Sequence, residues 1–361
     1  MEVEEGKAHI EVMEGVFYNP KMKGLRDISI AYLNVANSNK TALMLDATPA
    51  TGVRGIRYAL EAGFGNVTFV EINENAYDNI VRNLNKNNMT NAAAYNKSIQ
   101  EFANTYEGAF DFIDLDPFGS PAPHIHDLLK VSKDNSVIMI TATDTAVLCG
   151  AHTNACMKLY FSVPMHNELC HESGLRILAC FVAREAAQFN FGIEVELAIA
   201  NMHYMRIFVR LKRGAAKAVE SIKKCGFASY CNKCHNVLYK KGILGIENKC
   251  DYCGNSMLVY GPLWLGSLKN EEILERMLKQ DLHNDERKLL SIIHDEIDFP
   301  FFFSVPKLTK YLKLGAVSVT NVANALAAEG YKVSKTHVDS SGIKTNAKIG
   351  DIIKVIEGLT L

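Results

Sequence analysis

The chain has 361 residues, enough for two or three domains with a sizeable core, and its 48% hydrophobic and 22% charged residues are ordinary globular values rather than those of a disordered chain. No run of about 18 apolar residues occurs, so no membrane-spanning helix is expected, and the acidic start M-E-V-E-E-G-K lacks the basic and apolar parts of a signal peptide, so a cytoplasmic location is expected. The net charge of −1 hides an asymmetry: residues 1–210 hold 17 Lys+Arg against 24 Asp+Glu, net −7, and residues 211–361 hold 22 against 16, net +6, which suits a C-terminal half that meets a polyanion.

Residues 1–24 read as a polar segment carrying E-G-V-F-Y-N-P, and residues 25–38 place apolar side chains at helical spacing. A-L-M-L-D (42–46) is a short apolar run ending in an acid, followed by a glycine-bearing loop and a helical stretch at 56–62. N-V-T-F-V-E (66–71) repeats the pattern, and Ala76, Ile80 and Leu84 mark the next helix. F-D-F-I-D-L-D (110–116) reads as a third strand and S-V-I-M-I-T-A-T (136–143) as a fourth. This alternation predicts a doubly wound, Rossmann-like parallel sheet with its ligands beyond the carboxyl ends of the strands. Asp46, Glu71, Asp114 and Asp116 all fall at such ends. Residues 192–201 and 204–211 read as a β-hairpin closing the sheet, 225–260 as a compact cysteine-bearing insert, and 269–298 as helical. The tail reads as two short helices and a small sheet, an α+β unit.

The loop L-D-A-T-P-A-T-G-V-R-G-I-R puts Gly52 and Gly55 in a strand-to-helix turn, where backbone passes close to a ligand. It lacks the G-x-G-x-x-G of a dinucleotide site, with Ala50 where the first glycine would stand, which disfavours a nicotinamide-dependent oxidoreductase. Asp46 before the loop and Glu71 after the next strand are features of class I methyltransferases, in which the second acid takes both ribose hydroxyls of S-adenosylmethionine on its two oxygens. Arg54, between the glycines, is expected on the methionine carboxylate of that cofactor. Arg57 is expected as a surface charge at a helix start.

Asp116-Pro117-Phe118-Gly119 is either an ordinary turn or an active site. Methyltransferases acting on amines often carry Asp/Asn-Pro-Pro-aromatic after the fourth strand. An exocyclic amine on a purine is a poor nucleophile, because its lone pair is delocalised. A carboxylate such as Asp116 pulls on the N–H and takes the released proton. Pro117 stiffens the turn, and Phe118 offers a face for a stacked base, worth about 1–3 kcal/mol. Position after an apolar strand favours the active site. Asp114 ends the strand as a buttress with no assigned step.

Cys231-x2-Cys234, fifteen residues, then Cys250-x2-Cys253 is the spacing of a structural zinc site, four thiolates closing a tetrahedron. Cys225 falls outside it. Lys233, Lys240, Lys241 and Lys249 surround it, either gripping phosphates or lying in a solvated loop. Cys149, His152, Cys156, Cys170 and His171 form a looser group whose irregular spacing favours core packing and site lining over a second metal site. Asp144 is another strand-end acid, expected to support the site from behind.

Taken together, E-G-V-F-Y-N-P with L-R-D, L-D-A-T-P-A-T-G-V-R-G-I-R, F-I-D-L-D-P-F-G-S-P, T-A-T-D-T-A-V-L-C-G-A-H, E-L-C-H-E-S-G-L-R-I-L, Y-G-P-L-W-L-G and G-Y-K-V-S-K-T-H-V-D-S-S-G-I-K-T-N-A make the chain resemble the tRNA guanine-N2 dimethyltransferases acting on guanine 26, in their archaeal form, from about residue 14 to about 347. The resemblance implies an N-terminal segment (1–24) contributing to the active site, a methyltransferase domain (25–224), the cysteine insert (225–260) and a C-terminal tRNA-binding domain (261–361). It implies transfer of one and then two methyl groups to N2 of guanine, on tRNA, by a monomer with no protein partner. By position, Arg26, Arg54 and Glu71 bind S-adenosylmethionine, Asp116 is the catalytic carboxylate, and Phe17 and Phe118 sandwich a guanine flipped out of the tRNA. The chain departs from the family where an acid meets the adenine: Ser98 and Ile99 stand there, leaving a hydroxyl and backbone to recognise it. The rival readings are an amine methyltransferase on another RNA position or a protein side chain, and an inactive zinc-containing RNA-binding protein.

Overall fold

The computed structural model describes residues 1–39, 41–242 and 244–360. A hairpin of β1 (Glu2–Glu5) and β2 (Ala8–Glu11) opens the chain, and α1 (Lys23–Ala36) follows. Then come β3 (Leu43–Asp46), α2 (Val53–Ala62), β4 (Asn66–Val70), α3 (Glu74–Lys86), β5 (Ala92–Tyr95), α4 (Ile99–Thr105), β6 (Phe110–Leu115), α5 (Ala122–Lys130) and β7 (Ser132–Ala142). Short α6 (Thr145–Leu148) and α7 (Thr153–Tyr160) lead into the long α8 (Cys170–Gln188) and the antiparallel pair β8 (Phe191–Asn201) and β9 (Tyr204–Arg213).

These strands form one seven-stranded sheet in the order β5-β4-β3-β6-β7-β9-β8. The first five run parallel and β9 pairs antiparallel with β7, so the doubly wound sheet closed by a hairpin is found as expected. The strand order reverses between β3 and β6, and the crevice at their carboxyl ends is where such sheets take ligands. β5 escaped the sequence reading because A-A-A-Y carries no β-branched residue and pairs at the sheet edge. Helices sit on both faces: one core gathers β6, β7, α5 and α8, the other gathers α1, α2, β4 and the buried Ala8 and Ile10 of the first hairpin.

After α9 (Ala215–Lys224) comes a three-stranded sheet of β10 (Cys225–Tyr230), β11 (Val237–Lys241) and β12 (Leu258–Trp264) in the order β11-β10-β12. Ala228, Tyr230, Leu263 and Trp264 bury themselves in the core of the large sheet. The helices α10 (Glu271–Leu278) and α11 (Asn284–Asp295) were grouped by sequence with the C-terminal region, but they return to α1. Ile273, Leu274, Met277, Leu290 and Ile293 share its core. The side chains of Arg276 and Gln280 donate to the carbonyls of Val35 and Ala31 at 2.9 and 2.6 Å. The remaining elements are β13 (Phe303–Ser304), α12 (Val305–Leu312), α13 (Val319–Ala328), β14 (Val333–Lys335), β15 (Gly342–Thr345) and α14 (Ile349–Gly358). They form a third core, which takes in Cys231, Cys234 and Cys250 of the insert. Among the described residues, no helix is long and apolar enough to cross a membrane.

Candidate active site

At the carboxyl ends of β3, β4 and β6 lies a cleft of about 910 Å³. Phe17, Glu71, Ser98, Ile99, Asp116 and Phe118 all line it. Phe118 is 95% exposed and Phe17 is 65% exposed, although large aromatics ordinarily seek cover. The turn that presents Phe118 is tied down on both sides. The Asp116 N–H donates to Thr48 Oγ1 at 2.8 Å, which fastens it to the glycine loop. The Gly119 N–H donates to Thr143 Oγ1 at 2.7 Å and the Thr143 N–H to the Gly119 carbonyl at 3.0 Å, which fastens it to the end of β7. Gly119 has φ +87, a conformation that favours glycine.

Asp116 faces the cleft but is not alone. Arg54 donates to its Oδ2 from Nε at 2.7 Å, and Nη2 approaches the same oxygen at 2.6 Å. Arg54, expected on a cofactor carboxylate, is buried and turns its fork toward Asp116. Behind this pair lies Asp114, fully buried, taking Nη1 and Nη2 of Arg206 at 3.1 and 2.8 Å and the hydroxyl of Tyr58. Burial pushes the Asp114 carboxyl up, but Arg206 and Arg54 outweigh it and hold it below the usual range. Arg206 and Tyr58 were not foreseen; a buried-strand arginine such as Y-M-R-I-F-V is the signal that could have found the first.

Asp46 does not reach the cleft either. Its Oδ2 accepts the Gly55 N–H at 2.9 Å, holding the start of α2, and Oδ1 is buried with no partner. Burial first, then the charge of Asp114, pushes its carboxyl up to about 8. The same burial and the nearby Asp114 charge thus favour the neutral form of Asp46. Gly55 has no room for a side chain, since a Cβ would lie 2.4 Å from the Phe69 ring. Ala50, standing where a dinucleotide loop has glycine, takes φ +50, in the left-handed region. That turn lets its N–H donate to Glu71 Oε2 at 3.2 Å. Glu71 Oε1 accepts the Asn73 N–H at 2.9 Å, so each oxygen keeps acceptor capacity toward the cleft.

Arg26 is buried away from the cleft. Its Nε and Nη2 meet Glu5 at 2.6 and 2.5 Å, and Nη2 also donates to the Asn19 carbonyl at 3.1 Å. It thus braces the segment that carries Phe17. Arg57, expected on the surface, is buried beneath the β1–β2 hairpin, where Glu5, Asp27 and Glu61 bind it at 2.6–2.8 Å. Burial raises the Glu5 carboxyl, but Arg26, Tyr18 and Arg57 together hold it down at about 2. Ser98 Oγ accepts the Glu101 N–H at 3.1 Å and donates to Glu101 Oε2 at 2.8 Å. Its hydroxyl serves as the cap of α4, and Ser98 lines the cleft together with its neighbours Lys97 and Ile99. Asp144, expected behind the site, lines the cleft itself. Burial raises its carboxyl, opposed by the Tyr160 hydroxyl, which donates to it at 2.9 Å. His124 and His203 also line the cleft and were not foreseen.

The four cysteines of the insert meet as their spacing predicts, with all Sγ atoms within 4.8 Å of one another and Cys231–Cys253 and Cys234–Cys250 at 3.5 Å. A zinc tetrahedron with Zn–S of about 2.3 Å has edges of about 3.8 Å, so the donor set fits that ion. C-N-K-C-H-N and C-D-Y-C-G-N fold alike: the Cys231 and Cys250 N–H groups each donate to the carbonyl of the closing asparagine at 2.9 Å. The residue after the second cysteine is left-handed in both, His235 at φ +62 and Gly254 at φ +71. Lys233, Lys240, Lys241 and Lys249 are exposed around it. Cys149, Cys170 and His171, expected to pack the core or line the site, converge with their donor atoms within 4.8 Å, while Cys156 is fully buried.

Residues 1–357 match the family model described as N2,N2-dimethylguanosine tRNA methyltransferase. The chain is 38% identical to the tRNA (guanine(26)-N(2))-dimethyltransferase of Pyrococcus abyssi, over 99% of this chain and 98% of that protein. It is 36% identical to the Methanobrevibacter smithii enzyme of the same name, over 99% and 97%. Its structure superposes on Trm1 of Pyrococcus horikoshii, solved with S-adenosyl-L-methionine, with a TM-score of 0.91 at 36% identity, covering 98% of this chain and 99% of that one. The chain therefore belongs to the N2,N2-dimethylguanosine tRNA methyltransferase family.

Proposed function

We propose that the protein methylates the exocyclic N2 of guanine 26 in tRNA, once and then again, with S-adenosylmethionine as donor. The observation that carries the reading is a partly buried carboxylate, Asp116, anchored by a buried arginine and flanked in one cleft by two exposed phenylalanines. A volume of about 910 Å³ is at the upper end for a ligand site and suits a nucleoside cofactor and a base together. S-adenosylmethionine, when bound, supplies an electrophilic methyl group on sulfur. Glu71 suits its ribose hydroxyls, and Lys97, Ser98 and Ile99 border the adenine end. Arg26, Arg54 and Asp46 serve the site from behind: Arg26 through the Phe17 segment, Arg54 through Asp116, Asp46 through the glycine loop.

Phe17 and Phe118 take the flipped guanine between them, and the unstacking this requires is offset by the two aromatic faces. The hydrogen bonds of Asp116 from Arg54 fall on Oδ2, leaving Oδ1 for an N2–H of guanine. As the N–C bond forms and the methyl's bond to sulfur breaks, leaving a neutral thioether, that proton passes to the carboxylate and then to water, and with a second donor the remaining N–H repeats the step. The exposed lysines of the four-cysteine insert and the positive C-terminal half are assigned to tRNA phosphates. We place the reaction in the cytoplasm and its working unit as a monomer. The division into an N-terminal segment, a methyltransferase domain, a zinc insert and a tRNA-binding C-terminal domain follows, with α10 and α11 counted in the second.

The test mixes the protein with labelled S-adenosylmethionine and unmodified tRNA, then digests and separates the nucleosides. Label in N2-methylguanosines, reduced about 10²–10⁴-fold by Asp116→Asn, is the expected result. Label in another nucleoside, or full transfer by Asp116→Asn, overturns the reading.

A further inference from the structure

A second thiol cluster lies outside the four-cysteine insert and on the far side of α6 from the cleft-lining Asp144. Cys149 ends α6, and Cys170 and His171 open α8; the two sulfurs and a ring nitrogen of His171 all lie within 4.8 Å of one another. Cys170 Sγ stands 3.7 Å from His171 Nδ1. Metal–sulfur and metal–imidazole bonds of about 2.3 and 2.0 Å span a tetrahedral edge of about 3.5 Å, so this pair is already at coordination spacing.

The donors are held rather than loosely placed. The Cys149 N–H donates to the Thr145 carbonyl at 2.8 Å. The Cys149 carbonyl lies 3.0 Å from His166 Nδ1, and Gly150, at φ +86, is pressed so closely on the next segment that a Cβ would lie 2.8 Å from the Met165 carbonyl. On the other side, Gly174 of α8 brings α6 close, its would-be Cβ 3.2 Å from Leu148 Cβ. All three ligand residues are partly exposed, so an ion has a way in and a fourth position faces outward.

We propose that Cys149, Cys170 and His171 form a second site for a thiophilic divalent cation of the zinc class, with two thiolates, one imidazole and an open fourth position. Bound there, the ion clamps the end of α6 to the start of α8. That sets the position of Asp144, one residue before α6, in the cleft. The inference is independent of the methyl-transfer reading.

The experiment loads the full chain with Zn2+ under reducing conditions, removes excess ion, and counts metal per chain. Two zinc ions are expected for the unaltered protein and one each for Cys170→Ser and His171→Gln. Because a variant can fail for lack of folding, the unaltered chain is also treated with iodoacetamide: Zn2+ at two equivalents is expected to slow labelling of Cys149 and Cys170 at least tenfold over one equivalent. Co2+ loading of Cys149→Ser is expected to lose part of the thiolate charge-transfer band while keeping that of the four-cysteine set. One zinc in the unaltered chain, two in both variants, or a Cys149–Cys170 disulfide in the reduced-buffer protein overturns the proposal.

Discussion

The cleft and the four-cysteine insert hold their working parts by opposite means. In the cleft, position comes from buried ion pairs: Arg54 on Asp116, Arg206 on Asp114, Arg57 and Arg26 on Glu5. In the insert, four thiols gather at one point with the spacing of a zinc tetrahedron, and an ion bound there would relieve their mutual repulsion as thiolates. The first device needs nothing from outside. With such an ion, the third core, which shares Cys231, Cys234 and Cys250 with α12, α13 and α14, would draw part of its stability from outside the chain. A region built to present a reactive group is thus rigid by itself, while the region assigned to tRNA gripping is conditional.

Metal removal breaks the comparison most sharply. Structural zinc contributes apparent energies of about 10–16 kcal/mol in small domains. Chelation, or Cys250→Ser, is expected to unfold the third core while the large sheet persists, read as early loss of hydrogen-exchange protection over residues 305–358. Equal loss across the sheet would contradict a separate dependence. Arg206→Leu attacks the other device. It leaves the buried Asp114 charge with Tyr58 and the Arg54 Nη1 at 3.9 Å, at a cost of about 3–5 kcal/mol, measured as a lowered urea midpoint with metal content unchanged.

Phe118→Ala touches neither device, since its ring is almost wholly exposed. It is expected to weaken productive tRNA binding by about 1–3 kcal/mol, with thermal stability and S-adenosylmethionine affinity kept. The smallest effect is a pH dependence. The Glu5 carboxyl sits at about 2, below its ordinary 4.5, so its contribution is complete above about pH 4.5 and is lost as pH falls toward 2. Glu5→Gln is expected to lower the melting temperature near neutral pH and to flatten that acid limb in thermal melts recorded across the range.

What could be read from the sequence divides along the same line. The cysteine site was legible because its ligands lie on two short knuckles whose spacing is itself the signature. The sheet was legible because its strands are short apolar runs ending in acids, except A-A-A-Y of β5. Asp116, Glu71, Phe17 and Phe118 do share a cleft. The partners of the charges were not legible. Asp114 and Arg206 are separated by 92 positions, and Glu5 meets Arg57 across 52, with no local pattern to announce either. For the same reason the hydrogen-bond partners of Arg54 and Arg26, Asp116 and Glu5, were not legible. Cys149 and Cys170 looked irregular because helix ends, not a loop, bring them together.

The return of α10 and α11 to α1 bears on the order in which the molecule can be finished. As the chain leaves the ribosome, the first hairpin, the glycine loop, the D-P-F-G turn and Arg206 are all available once β9 has emerged. The apolar face of α1 still lacks Ile273, Leu274, Met277, Leu290 and Ile293, which follow later. A fragment that stops at residue 224 or 260 therefore holds every cleft side chain named above yet bares a greasy helix, and aggregation is its natural fate. Even a cut after residue 295 would strip Phe301 and Phe302 from the core of the large sheet, so the catalytic layer is finished only when the chain has passed them.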